Sequence, residues 1–195
     1  MNQLQIEDIT VVILAGGKGR RMGGQDKGLV NYKNSSLVKH VIDAISLQSD
    51  KIIINANRNL DEYSAFGYPV VEDTLHDFQG PLAGFLAAMS NVSTDYILTM
   101  PCDGPVIIDD YVNKMKQGLN ESTAVLAIAS DGTRMQPVYA LIPLKLADSL
   151  QQFLLTGERK IDLWYQQQDF TLVEFEAESE FFTNINTPQD LKKYS

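Results

Sequence analysis

The stretch VVILAGGKGRRMGGQDKG, positions 11–28, runs an apolar segment into glycines and carries four of the chain's sixteen basic residues. Lys18, Arg20, Arg21 and Lys27 are opposed there only by Asp26. Glycine admits positive φ and lets backbone N–H groups approach phosphate oxygens with no Cβ in the way. Such a loop after a strand suits a small anion, with Lys27 as a point charge and Arg20 and Arg21 as forked donors. Either arginine can equally face solvent or pair with the acidic surface. The commoner phosphate motifs do not fit. No glycine-lysine pair here is followed by Ser or Thr as a Walker loop requires, and Met22 occupies the last glycine position of a dinucleotide fingerprint.

Asp103, just beyond YILTMP, is the best metal candidate, because magnesium is often held by one or two carboxylates together with substrate phosphates. The bare spacing leaves a turn or a helix cap equally open, since Asp-Gly is a common turn pair. Asp73 carries the same ambiguity beside Glu72. Cys102 has no basic partner nearby in sequence and reads as a small buried residue. His40 lies in an amphipathic helix and His76 in a loop, so they are not spaced as a metal pair, and neither is assigned catalysis. Trp164 and the methionines read as packing.

These residues need elements to position them. TVVILA (10–15) and KIIINA (51–56) are nearly unbroken β-branched runs, as expected of strands covered on both faces. PVVED (69–73) and DYILTM (95–100) look similar. Between them, Leu37, Val41, Ile42 and Ile45 share one helical face, with Ser35 or Ser36 as the cap. Pro81 sits near the first position of a second helix. Farther on, TAVLAIAS and MQPVYALI flank a hairpin turn at Asp131-Gly132. Helices follow around 144–155 and 160–167, then a strand at FTLVEF and a last helix capped by Thr187. The order predicts a Rossmann-like, three-layer α/β domain with a mixed, mostly parallel sheet and helices on both faces, its second half adding antiparallel strands. A nucleotide-binding half about 8–105 and an acceptor-side half about 106–195 would make up that single domain. In open parallel sheets ligands bind outside the carboxyl ends of the strands. The glycine loop, Asn55, Asp73 and Asp103 all fall at such ends.

The bulk properties narrow the partners. A formal net charge of −9 argues against a nucleic-acid or anionic-membrane surface. No apolar run approaches the roughly 20 residues of a membrane span. The N-terminal MNQLQIEDIT lacks a secretory pattern, and the single cysteine, Cys102, fits a reducing cytosol, so a cytoplasmic location is expected.

LAGGKGRRMGGQDKG resembles the signature loop of the sugar-nucleotide pyrophosphorylase type of nucleotidyltransferase. INANR, VVEDTLHDFQGPLAG, MPCDGP, QPVYALI and NINTPQDL follow in the order of one branch, the bacterial molybdenum cofactor guanylyltransferases. That resemblance spans nearly the whole chain and implies transfer of GMP from GTP to molybdenum-bound molybdopterin, with Mg2+ as cofactor. It implies GTP contacts at Leu14, Ala15, Gly16, Lys27, Asn55, Asp73 and Asp103. Lys27 and Asp103 would be catalytic and Asp103 the metal ligand. Molybdopterin contacts are expected around Arg21, Gly80, Pro81 and 184–187. The implied protein is a monomer that also meets molybdenum-insertion proteins and molybdoenzyme apoproteins or their chaperones. Family members often have His-Pro where this chain has Gln136-Pro137, so no proton transfer is assigned there. Cytidylyl or sugar-phosphate nucleotidyl transfer and a non-catalytic molybdopterin or nucleotide carrier stay open. A nicotinamide-dependent oxidoreductase is disfavoured by the failed fingerprint.

Overall fold

A computed structural model describes residues 3–17, 24–74, 80–175 and 180–194. Seven of the described strands form one sheet. In chain order they are β1 (Ile9–Leu14), β4 (Ile52–Asn55), β5 (Val70–Val71), β6 (Tyr96–Pro101), β7 (Leu126–Ser130), β8 (Met135–Pro143) and β9 (Phe170–Glu174). They lie side by side as β5-β4-β1-β6-β8-β7-β9. Only β8 runs against its neighbours, β6 and β7. β2 (Asn31–Tyr32) and β3 (Ser35–Ser36) form a separate small hairpin.

The apolar runs become central strands because both faces of the sheet are covered. Along β1, Ile9, Val11 and Ile13 face one cluster, together with Val38, Val41 and Met115. Val12, between them, faces the other, with Leu82, Phe85 and Trp164. Helices α1 (Leu37–Ile45) and α4 (Tyr111–Asn120) supply the first layer. Helices α3 (Pro81–Met89), α5 (Ala147–Leu155) and α6 (Ile161–Tyr165) supply the second. Short α2 (Leu60–Ser64) follows β4, and α7 (Pro188–Tyr194) follows the sheet.

The expected fold class and most expected elements are present, with specific differences. Antiparallel pairing in the second half is confined to β8, because β9 pairs parallel to β7 after the α5–α6 crossover. Ser36 is the residue before α1, yet neither it nor Ser35 caps with its side chain; both are spent on β3. Helix α4 adds to the expected elements; Tyr111, Val112, Met115 and Leu119 recur at helical spacing and are buried. Thr187 does cap α7. Its hydroxyl accepts from Asp190 N at 3.2 Å, while the Asp190 carboxylate accepts from Thr187 N at 2.8 Å.

Candidate active site at the carboxyl edge of the sheet

From β1 the chain moves outward to β4 and β5, then returns to place β6 on the other side of β1. That reversal opens a crevice at the carboxyl ends of β1 and β6, the usual ligand position in open α/β sheets. Backbone bonds weld its floor. Cys102 N donates to Leu14 O at 3.1 Å, and Ala15 N donates to Asn55 O at 2.7 Å.

Two side-chain groups stand on this floor. In the first, Lys27 projects from the 3-10 turn Lys27–Leu29, which Asp26 caps by accepting from Gly28 N at 3.2 Å. Its ammonium pairs with Asp103 Oδ2 and donates to Asn186 Oδ1 at 2.8 Å. Ile185 N donates to Asp103 O at 2.9 Å, so the segment before α7 is stitched to the turn after β6. Residues 76 and 159 positions from Lys27 thus meet its side chain.

In the second group, Asn55 Nδ2 donates to Asp73 Oδ1 at 2.9 Å and to Val71 O at 3.2 Å. Asn57 Nδ2 donates to Asp73 Oδ2 at 2.8 Å, and its Oδ1 accepts from Asp73 N at 2.8 Å. Gly84 of α3 backs this cluster: a Cβ there would overlap Asn55 Oδ1 and come within 2.8 Å of Leu14 Cδ2. Helix α3 can approach the strand ends only because that atom is missing.

Leu14, Ala15, Gly16, Asn55 and Asp73 lie along the same carboxyl edge of the sheet as the Lys27–Asp103 pair. Lys18, Arg20, Arg21 and His76 lie outside the described residues. Gly80 and Pro81 stand exposed at the start of α3. Asn57 and Arg58, for which the sequence suggested no role, also join this edge: Asn57 holds Asp73, and Arg58 donates to the carbonyls of Gly24 and Gln25 before Lys27. What marked them was their place directly after β4, where side chains reach the crevice.

The remaining polar groups sort by burial. Desolvation, reinforced by Asp103 and partly opposed by Lys27, pushes the Cys102 thiol up, so it stays neutral and is no nucleophile. His40 Nε2 lies 2.7 Å from Tyr32 O and its ring packs edge-on against Tyr32, a structural assignment. Gln136 is engaged by the β7–β8 turn, where its Nε2 donates to Asp131 Oδ2 at 2.7 Å. Asp103 Oδ1 is different. It is buried and, among the described residues, has no hydrogen-bond partner. The described residues contain no group of three or more His, Cys, Asp or Glu side chains able to enclose a metal. A single carboxylate oxygen left without a partner would suit magnesium, which is often held by one or two carboxylates together with substrate phosphates.

Comparison with known proteins places the chain in a family. A family model described as the MobA-like NTP transferase domain matches residues 11–170. A molybdenum cofactor guanylyltransferase of Shewanella piezotolerans is 46% identical over 187 residues, covering 96% of this chain and 92% of that protein. That of Shewanella loihica is 45% identical, covering 96% of this chain and 95% of its own. A crystal structure of molybdopterin-guanine dinucleotide biosynthesis protein A from Archaeoglobus fulgidus shares the fold, with a TM-score of 0.79 at 22% identity over 95% of this chain and 96% of that one.

Proposed function

This chain belongs to the MobA-like NTP transferases, and we propose that it is a molybdenum cofactor guanylyltransferase, moving GMP from GTP onto the terminal phosphate of molybdenum-bound molybdopterin. An acceptor phosphate oxygen forms the new bond to the α-phosphorus of GTP. The bond from that phosphorus to the β-phosphate bridging oxygen breaks, leaving pyrophosphate and the guanine dinucleotide cofactor. The observation that carries the reading is the meeting of Lys27 and Asp103 at the crevice between β1 and β6.

Attack of one phosphate on another faces anion repulsion, so positioning and charge neutralisation supply most of the catalysis. Lys27 exchanges the Asp103 carboxylate for phosphate oxygens and stabilises the departing pyrophosphate. Asp103 would hold Mg2+, which neutralises phosphate charge when bound. The backbone of Leu14, Ala15 and Gly16 lines the nucleotide's path, while Asn55 and Asp73 offer further polar contacts. A phosphate nucleophile is already ionised near neutral pH, so no general base is needed. That suits a site whose thiol is neutral and whose histidine at position 40 is occupied elsewhere. The reaction belongs in the cytoplasm, carried out by a monomer that takes its molybdenum-loaded acceptor from molybdenum-insertion proteins and passes its product to molybdoenzyme apoproteins or their chaperones. Among the described residues no helix is long and apolar enough to cross a membrane.

Pyrophosphate release with magnesium and molybdenum-loaded molybdopterin tests the reading, comparing GTP with CTP and UTP. GTP should support release and raise Tm through binding to the folded state, with the pyrimidine nucleotides far behind. Equal or better turnover with CTP would replace guanylyl by cytidylyl transfer. Binding without any release would favour a carrier.

A further inference from the structure

Asp26 has a side chain only 3% exposed, and phosphate chemistry makes no use of it. Its Oδ1 accepts from the Tyr63 hydroxyl at 2.6 Å and from Gly28 N at 3.2 Å. Its Oδ2 accepts from Asn59 Nδ2 at 3.0 Å and lies 3.2 Å from Arg58 Nε. The other guanidinium nitrogens of Arg58 donate to Gly24 O and Gln25 O, each at 3.0 Å. Gly28 makes room for this, since a Cβ there would overlap the Tyr63 hydroxyl. The segment between β4 and the end of α2 therefore grips the backbone before Lys27 and the Asp26 side chain, which in turn holds the amide after Lys27, and the ammonium is left to Asp103 and Asn186.

That arrangement has a physical purpose. A lysine side chain loses rotamer freedom when ordered, and a loose backbone adds to the loss. We propose that Arg58 and Asp26 are positioning residues that fix the backbone from which Lys27 reaches the nucleotide phosphates. Arg58 supplies the span, because its planar fork bonds two carbonyls while facing a carboxylate, a geometry one ammonium does not reproduce. Asp26 neutralises the guanidinium and ties it to α2 through Tyr63. The inference rests on the reading that Lys27 serves a phosphate.

A double-mutant cycle on the full chain decides it, with pyrophosphate release and GTP-induced thermal stabilisation as readouts. Arg58→Lys keeps the charge beside Asp26 but loses the fork. It should lower kcat/KM for GTP about tenfold, within the range that small misplacements of a catalytic group cost. KM for the acceptor should stay unchanged. In a Lys27→Ala background the same change should cost almost nothing further, because its effect runs through Lys27. If Arg58→Lys slows the Lys27→Ala enzyme as much as the wild type, the network serves the fold alone and the proposal is overturned. Should Arg58→Lys unfold, Tyr63→Phe, which removes one hydroxyl from Asp26, takes its place in the cycle with the same two outcomes. Wild-type protein that releases no pyrophosphate with any nucleotide would overturn the transferase reading and this inference with it. Wild-type turnover with an additive cycle overturns the inference only.

Discussion

Asp73 and Asp103 occupy equivalent positions, each just beyond the carboxyl end of a parallel strand, yet they are held in opposite ways. Both oxygens of Asp73 are bonded by neutral amides, from Asn55 and Asn57, and its own N–H returns a bond to Asn57. Asp103 has one oxygen against the Lys27 ammonium and the other without a hydrogen-bond partner among the described residues. Amide partners orient a carboxylate while leaving its negative charge in place. A cationic partner cancels that charge until something more highly charged takes its place. The first carboxylate is fixed in place, as the proposed contact with polar groups of a nucleotide would require. The second can trade partners, as the proposed entry of a triphosphate would require.

The sharpest way to break this contrast is Asp103→Asn. The amide still accepts from Lys27, so Tm should change little, while pyrophosphate release falls by roughly 10²–10³, the scale of losing a key electrostatic group. Undiminished turnover with magnesium would remove Asp103 from the chemistry. Asn57→Ala should behave differently, because it deprives Asp73 of one donor and one acceptor without touching the exchanging pair. KM for GTP should rise about tenfold with kcat nearly intact, the cost of one buried hydrogen bond. A fall in kcat alone would show that the two carboxylates do not divide the work. Gly84→Ala presses a methyl into Asn55 and Leu14, so thermal denaturation should report a loss of about 1–3 kcal/mol, with GTP weakened only through the displaced Asn55.

The smallest effect belongs to a third carboxylate, in the β7–β8 turn. Bonds from the Thr133 hydroxyl, then from the Thr133 and Arg134 amides and the Gln136 side chain, hold the Asp131 carboxyl below its ordinary value. A depressed folded-state pKa contributes stability above the unfolded-chain value, about 4, and that contribution fades as pH falls toward the folded one. Asp131→Asn should therefore flatten the acid limb of a Tm-against-pH curve and leave turnover near neutral pH unchanged. A variant that instead lost turnover would bring the hairpin into the site.

How much of this could be read from residues alone depended on the range of the interaction. The strands β1, β4 and β6 were legible because burial on both faces forces apolar runs; Asn55, Asp73 and Asp103 stood out as strand-end residues and Lys27 as part of the basic, glycine-rich segment after β1. The direction of β9 was not, because it is decided by where the α5–α6 crossover returns the chain. The hairpin of β2 and β3 escaped because each strand is two residues long, with the turn made by Lys33 and Asn34 at positive φ. Asp26 and Asn57 look like ordinary polar loop residues. Their roles follow from partners up to 37 positions away, and no local pattern reports them.

The bond from Lys27 to Asn186, backed by that from Ile185 to Asp103, makes the end of the chain part of the crevice. All seven strands of the main sheet lie before residue 175, yet the lysine's second partner comes from the segment just before α7. A chain shortened to residue 183 would keep every strand and still lack that wall.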